Sequence, residues 1–431
     1  MRESDPQGIA PGNLLRRRVF LGGATSLALT SALAQRRAND RIGIAMIGVG
    51  TRGIYLLDQV LQCPNVDIRV VCDLYDGNLK RASARAPRAM FTKEWEKAIS
   101  SPDVDAVFIA TPDFWHAPIA VAAAQARKHI YVEKALCRTL TEAKSIRHAV
   151  RENKVVLQLG HHQNSDPFHV KAREIFRSGQ LGKTVLARTF IDRTTAWPEW
   201  QFYTAYDIQT RPADASERTI DWQRFIANAP AIPFDAERFF RWRCWWEYGT
   251  GIAGDLMSHQ WDGINMIVGM GIPEAVQTMG GLYFWKQDRE VPDQWHVCFE
   301  YPKQELNVLF SNTFHNRHNA TGTYILGRDA TLEVSTNWCR VFEGEWKPKY
   351  ANQIWDLEAK GQVPPPVYAM KKGEVEVSSH MRNFIDCIRT GETPRCGMER
   401  AWEEAVTVVM SVEAYRKERK VRWDAANEQI V

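Results

Sequence analysis

No C-x-x-C pair occurs among the eight cysteines (Cys63, Cys72, Cys137, Cys244, Cys298, Cys339, Cys387, Cys396). Their scatter argues against a zinc knuckle and a compact disulfide scaffold, and several sit in apolar runs as small buried hydrophobes. The 11 histidines show no metal-ligand spacing either. An excess of one charge is also missing: 55 basic residues meet 51 acidic ones, and four of the arginines (Arg2, Arg16, Arg17, Arg18) belong to residues 1–34. The remainder is too nearly neutral to expect nucleic acid as a partner. Beyond residue 34 no apolar stretch is long enough for a stable membrane span. At 45% hydrophobic and 25% charged residues the chain is neither disordered nor fibrous. What it has in quantity is tryptophan: 16 residues, seven of them (Trp197, Trp200, Trp222, Trp242, Trp245, Trp246, Trp261) in one short stretch.

The first 34 residues read as an address. Arg16-Arg17-Arg18 precedes Val19-Phe20-Leu21, an uncharged run from Gly22 to Ser31, and Ala32-Leu33-Ala34. A basic region, a short apolar core and a small-x-small site are the parts of a signal peptide, and paired arginines before Phe-Leu mark the twin-arginine variant. The run is shorter than the ~20 residues an anchor needs. The expected location is therefore periplasmic or otherwise exported, by a route that carries chains already folded.

Ile42-Gly43-Ile44-Ala45-Met46-Ile47 reads as a buried strand, Gly48-Val49-Gly50-Thr51-Arg52-Gly53 as a glycine turn, and Ile54, Leu57, Val60 and Leu61 as one face of a helix. A second apolar run, Val66 to Cys72, ends at Asp73, twenty positions after Gly53. Glycines let the backbone approach a pyrophosphate at a helix N-terminus, and an acid after the second strand accepts from the adenosine ribose. A carboxylate there repels a 2′-phosphate, so the spacing predicts NAD rather than NADP, although Arg52, Lys80 and Arg81 are cations that could offset it. The beat continues: Ala106 to Ala110 opens into Thr111-Pro112, Ile130-Tyr131-Val132 into Glu133-Lys134, and Val155 to Leu159 into Gly160-His161-His162-Gln163. Strands alternating with helices predict a doubly wound parallel sheet whose functional loops share one rim.

The glycine turn, Asp73, Thr111-Pro112-Asp113-Phe114-Trp115-His116 and Glu133-Lys134, in this order, resemble the Gfo/Idh/MocA oxidoreductases, the family of glucose-fructose oxidoreductase and inositol dehydrogenase. Asp221-Trp222, Trp242-Arg243 and Gly249-Thr250-Gly251 leading to Gly254-Asp255-Leu256-Met257-Ser258-His259 extend the likeness over nearly the whole mature chain. The resemblance implies a Rossmann domain, an α/β domain with a large open sheet, and a site between them. It also implies that the lysine of a Glu-Lys-Pro motif and an Asp and His four residues apart surround the reacting carbon, here Lys134, Asp255 and His259. Two departures stand out: Ala135 replaces the proline, and the arginine that family members often carry near Asn164 is missing.

The residues make their own case. A lysine at a strand's carboxyl end can shuttle a hydroxyl proton when burial lowers its pKa. Asp255, His259 and Asp262 fall at i, i+4 and i+7, one face of a helix, and can converge on one ligand. His259 is the better base for a hydroxyl proton and Asp255 the orienting group. His161 and His162 could reach the nicotinamide or the substrate, and His116 shapes the cofactor loop. In the second half, Thr184 to Phe190, Val276 to Phe284, Trp295 to Tyr301, Leu306 to Phe314, Thr323 to Leu326 and Thr331 to Val334 read as strands of one mostly antiparallel sheet. The tryptophans suit stacking on sugar faces, though most are expected to pack the domain junction. Arg241, Arg243 and Glu247 could bind hydroxyls, and Pro364-Pro365-Pro366 marks a connector.

The expectation is an α/β chain: a signal at 1–34, a Rossmann domain with a doubly wound parallel sheet at 41–163, and a substrate-binding α/β domain with a mostly antiparallel open sheet at 164–425. Its final helices (380–417) pack back on the sheet or the first domain. Cofactor contacts are expected from Gly48, Gly50, Thr51, Arg52, Gly53, Asp73, Thr111, Pro112, His116, Glu133 and His162, and catalysis from Lys134, His259 and Asp255, without metal. The activity expected is hydride transfer between tightly bound NAD and a sugar, polyol or glycoside carbon, in a chain that self-associates through its open sheet. The alternatives are a redox-neutral, NAD-dependent glycoside hydrolase or lyase and a non-catalytic carbohydrate-binding protein.

Overall fold

The structure is a computed structural model that describes residues 41–194, 197–201, 203, 210–344, 360–361 and 365–431. The expected signal segment 1–34 and Pro364 of the proline run lie outside the described residues. Strand β1 (Ile42–Ile47) is buried along its length, as an unbroken apolar run must be in a sheet covered on both faces. The chain then alternates through α1 (Thr51–Val60), β2 (Val66–Cys72), α2 (Asp76–Ser83), β3 (Met90–Thr92), α3 (Trp95–Ser100), β4 (Ala106–Ile109), α4 (His116–Gln125), β5 (His129–Val132), α5 (Leu140–Asn153) and β6 (Leu157–Leu159). The sheet order is β3-β2-β1-β4-β5-β6, with parallel pairing. Its order reverses between β1 and β4, and the crevice at their carboxyl ends is where such sheets receive a ligand.

After α6 (Pro167–Arg177) comes the second half: β7 (Thr184–Asp192), short helices α7 (Trp222–Phe225) and α8 (Ala236–Phe240), α9 (Ser258–Val268), β8 (Ala275–Gly281), β9 (Gln294–Tyr301), β10 (Leu306–Thr313), β11 (Thr321–Gly327), β12 (Ala330–Val334), β13 (Cys339–Glu343) and β14 (Tyr368–Ala369). Helices α10 (His380–Thr390) and α11 (Met398–Arg416) and strands β15 (Val421–Asp424) and β16 (Gln429–Ile430) end the chain. The ten strands run β14-β13-β12-β11-β7-β10-β9-β8-β15-β16, antiparallel except for the parallel β7–β10 pair. Residues alternate in and out along β9 and β10. Helices α6, α9 and α11 pack on the inner face, while Met279 and Leu309 are exposed on the outer one.

The strand expected to reach Phe284 stops at Gly281, because the Asp293 carboxylate takes the N–H groups of Tyr283 and Phe284 at 3.0 and 2.7 Å. Helix α10 packs Phe384 on Phe108 and Tyr131 of the first sheet, and α11 touches both α5 and β8. The eight cysteines are free thiols, all buried except the half-buried Cys298. Burial pushes Cys244 up to about 11 and Cys339 to about 12, so neither is a reactive thiolate.

Candidate active site

A cavity of about 760 Å³ is lined both by the glycine turn and by Asp255 and His259. Gly48 sits at φ +84°, and a Cβ on Gly53 would lie 2.0 Å from the Gly48 carbonyl oxygen. Those two glycines close the turn, whereas Gly50 leaves open space, its nearest neighbour being 3.8 Å from a Cβ built there. Helix α1 behind them has no side-chain cap, so its first N–H groups stay available to an anionic group. Asp73 ends β2, accepting from Val49 N–H (2.8 Å), Tyr75 N–H (2.9 Å) and the Asn78 amide (3.0 Å). Burial raises its carboxyl pKa against the pull of those donors.

Around the rest of the rim, Thr111 Oγ1 is buried without a hydrogen-bond partner among the described residues. Pro112 and Glu133 line the cavity beside it, and Glu133 receives Arg52 Nε at 2.7 Å. The Arg52 guanidinium also meets His162 Nε2, which lies 3.2 Å from the Tyr131 hydroxyl. Burial and the neighbouring Arg52 drop His162 to about 3, so it is a neutral imidazole. An open glycine, free helix N–H groups, an acid after β2 and an orphaned hydroxyl together fit NAD. Tyr55, Asn78 and Trp95 also line the cavity; they fall at helical positions with no motif of their own and were not found in the sequence, whereas Arg81, named there as a cation near the ribose acid, lines it as well.

Two expected cofactor contacts do not reach the cavity. Gly53 serves packing, as its close approach to Gly48 shows. His116 is fully buried, its ring nitrogens on the carbonyls of Ala135 (2.7 Å) and Thr111 (3.0 Å). It therefore ties the loop after β4 to the loop carrying Lys134. That tie, and the contact of Ala135 with the backbone at Gly254, where an added Cβ would come within 2.8 Å of the Ala135 Cβ, hold the segment where the family has proline.

At the other end Lys134 Nζ donates to Asp255 Oδ1 (2.6 Å) and to the Asp255 carbonyl (2.8 Å). Asp255 Oδ1 also takes Arg243 Nε at 3.2 Å and Oδ2 takes the Trp200 indole N–H at 2.8 Å. Burial opposes the charge on Asp255, but Lys134 and Arg243 hold its carboxyl well below the usual range. The Arg243 guanidinium lies 4.2 Å from the Trp242 ring centroid. Asp255 sits in a π-turn (Ala253–Met257) that runs straight into α9, a widening often found at functional sites. His259, one turn on, is held well below its usual pKa, first by burial and then by Lys134 and His161. It is a neutral imidazole beside a cation.

The third member of the expected helix face departs. Asp262 is fully buried and turned away from the cavity, bound by Arg400 and the Asn164 amide. Asp255 and His259 line the cavity and Asp262 does not, because Asp262 is held on the far side by Arg400 and Asn164. His161 is buried behind His259 and does not line the cavity. Of the tryptophan cluster, Trp242 lines the cavity and Trp200 reaches Asp255, while Trp222, Trp246 and Trp261 pack against Phe225, Trp295 and the Tyr301 hydroxyl. Arg241 pairs with Glu237 and Glu247 with Arg238, leaving Arg243 as the member of that trio that faces the cavity.

Two family descriptions match: an oxidoreductase NAD-binding Rossmann fold over residues 42–161 and an oxidoreductase C-terminal α/β domain over residues 222–422. The chain belongs to the Gfo/Idh/MocA oxidoreductase family. A levoglucosan dehydrogenase of Pseudarthrobacter phenanthrenivorans is 31% identical over 173 residues, 38% of this chain and 44% of that protein. A glycosyl hydrolase family 109 protein of Stenotrophomonas maltophilia is 32% identical over 126 residues, 26% of this chain and 28% of that protein. The chain thus spans less than half the length of these curated relatives. A solved levoglucosan dehydrogenase in complex with NADH and levoglucosan shares the fold, with TM-score 0.62 and 19% identity over 89% of this chain and 99% of that one.

Proposed function

We propose that this chain is an exported oxidoreductase that moves hydride between retained NAD and a hydroxyl-bearing carbon of a sugar, polyol or glycoside. The observation that carries the reading is the joining of the Lys134–Asp255–His259 cluster to the glycine-turn rim within one cavity. NAD bound along the rim supplies the hydride acceptor. His259 Nδ1 faces His161 at 3.2 Å, so Nε2 is the nitrogen left to take the hydroxyl proton. Lys134, already donating twice to Asp255, has one N–H left to steady the oxygen that loses its proton. Asp255 keeps Lys134 aimed, and Arg243 on Trp242 gives the sugar a donor beside an aromatic face.

Export is supported by the arginines and apolar run of residues 1–34, with a cofactor domain at 41–163 and a substrate domain at 164–425. Outside the cytoplasm the cofactor stays bound and a second substrate recycles it. The exposed Met279 and Leu309 on the uncovered sheet face support a homo-oligomer through that face. A second reading, redox-neutral glycoside cleavage with NAD regenerated in each turnover, is favoured by the family 109 relative. One experiment separates them: protein recovered from periplasm is denatured, its nucleotide identified, and the native protein offered sugars and aryl glycosides. Reduced-nicotinamide absorbance supports the first reading and aglycone release without net reduction the second. Absence of bound nucleotide together with failure to bind added NAD refutes both, and sugar binding without turnover leaves a carbohydrate-binding protein.

A further inference from the structure

Behind the cavity lie two wholly buried groups that the chemistry above does not use, Glu404 of α11 and His161 after β6. His161 Nε2 stands 3.5 Å from Glu404 Oε1, and neither atom has a hydrogen-bond partner among the described residues. A buried polar atom left unpaired costs about 1–3 kcal/mol, so each is the other's compensation. Glu404 Oε2 accepts the Leu136 N–H at 3.5 Å, two residues past Lys134. On its other side His161 Nδ1 lies 3.2 Å from His259 Nδ1, with the two rings edge to face at 84°.

We propose that Glu404 and His161 are positioning residues that fix the tautomer of His259. Two Nδ1 atoms at hydrogen-bond distance cannot both carry hydrogen or both be bare in neutral rings; one donates and one accepts. The Glu404 carboxylate, 3.5 Å away in ion-pair contact, draws the hydrogen of His161 to Nε2, which leaves His161 Nδ1 bare. His259 must then donate its Nδ1–H and present a bare Nε2 to the cavity. When a substrate O–H bond breaks and an Nε2–H bond forms, the resulting imidazolium still donates to His161, and the Glu404 carboxylate balances its charge one ring further on. The opposite arrangement, with Glu404 as donor, puts the hydrogen on His259 Nε2 and abolishes the base. The remaining charged or titratable groups about His259 are Lys134, Asp255 and Arg52, and those about His161 are Asp262, His162 and His380. The inference rests on His259 being the base of the proposed reaction.

Nitrogen NMR of the histidine-labelled holoenzyme, with His259 assigned through His259→Gln, tests it without turnover. The expected result is a protonated Nδ1 and a bare Nε2 on His259 at neutral pH; the reverse overturns the proposal. In Glu404→Gln the amide donates to His161 Nε2, so the pattern is expected to flip. The kinetic counterpart is a fall in kcat of up to about 10⁴-fold, the loss that a wrong tautomer causes in a serine-protease triad. KM and bound NAD should be unchanged, the residual rate should rise with hydroxide concentration, and Glu404→Asp should restore part of the loss. A profile merely scaled down without change of shape overturns the positioning role. If Glu404→Gln does not fold, the wild-type tautomer alone decides. The expected tautomer in a protein that turns over no sugar refutes the functional reading and leaves this one standing.

Discussion

At the dinucleotide end of the cavity much of what meets a ligand is backbone: the open face of Gly50, the uncapped start of α1, and loops at the ends of parallel strands. At the end where we propose that the sugar binds it is side chain, with Lys134, Trp200, Arg243, Asp255 and His259 brought from four stretches of chain into one knot around a buried charge. A backbone site survives most single substitutions because the fold supplies it. A knot of buried charges does not, since removing one member leaves another uncompensated. The two ends should therefore respond to mutation separately and with different severity.

Lys134→Met should show the largest effect. It strips Asp255 of its nearest cation and the substrate oxygen of its donor, so turnover should fall by about 10³-fold or more. Nucleotide released on denaturation should match wild type; loss of NAD along with activity would mean that the two ends are not separable.

Acid should strain the buried histidines in and behind the cavity. His162 and His380 have native values near 3 and His259 is lowered as well, against about 6.5 in an unfolded chain. The unfolded state then binds more protons below pH 6.5, so stability is full above that value and is lost progressively as pH falls toward 3. The slope contributed is about 1.4 kcal/mol per pH unit for each such histidine. Denaturant melts at pH 6.5 and 5 read it, and His380→Gln should flatten the slope; an unchanged slope would place the acid sensitivity elsewhere. Asp73→Ala should come next, raising the NAD dissociation constant about 10- to 100-fold through loss of charged hydrogen bonds. Turnover at saturating NAD should stay within about twofold; a large fall in kcat would show that the ribose acid also governs the sugar end.

The same division explains what was legible in the sequence. The cofactor half could be read because its requirements are local: a glycine turn, a strand-terminal acid and alternating elements lie within short windows of sequence. Lys134, Asp255 and His259 were reachable through family likeness and helical spacing, but the spacing also included Asp262, which a distant partner, Arg400, takes out of the site. Nothing local marks Glu404 in the middle of α11, whose partner lies 243 residues away in the chain; Trp200 stood out only as one of the tryptophan cluster, and its bond to Asp255, 55 residues on, was not legible. Strands β14 and β16, two residues each, exist through pairing rather than through any pattern of their own.

Trp200→Phe should have the smallest effect and draw the finest line between the two ends. Trp200 is 2% exposed at φ +69°, packed edge-on to Phe314 with the Arg289 guanidinium over its ring. Its indole N–H is the neutral member of the set holding Asp255, and phenylalanine keeps the ring while deleting that donor. Lys134 and Arg243 still fix the charge on Asp255, so what is lost is one hydrogen bond to a carboxylate, about 1.5 kcal/mol. That predicts a fall in kcat of about tenfold, little change in KM and none in NAD content. A loss as large as that of Lys134→Met would mean that the orientation of Asp255, more than its charge, sets the rate, and the sugar end would then have to be redrawn around Trp200.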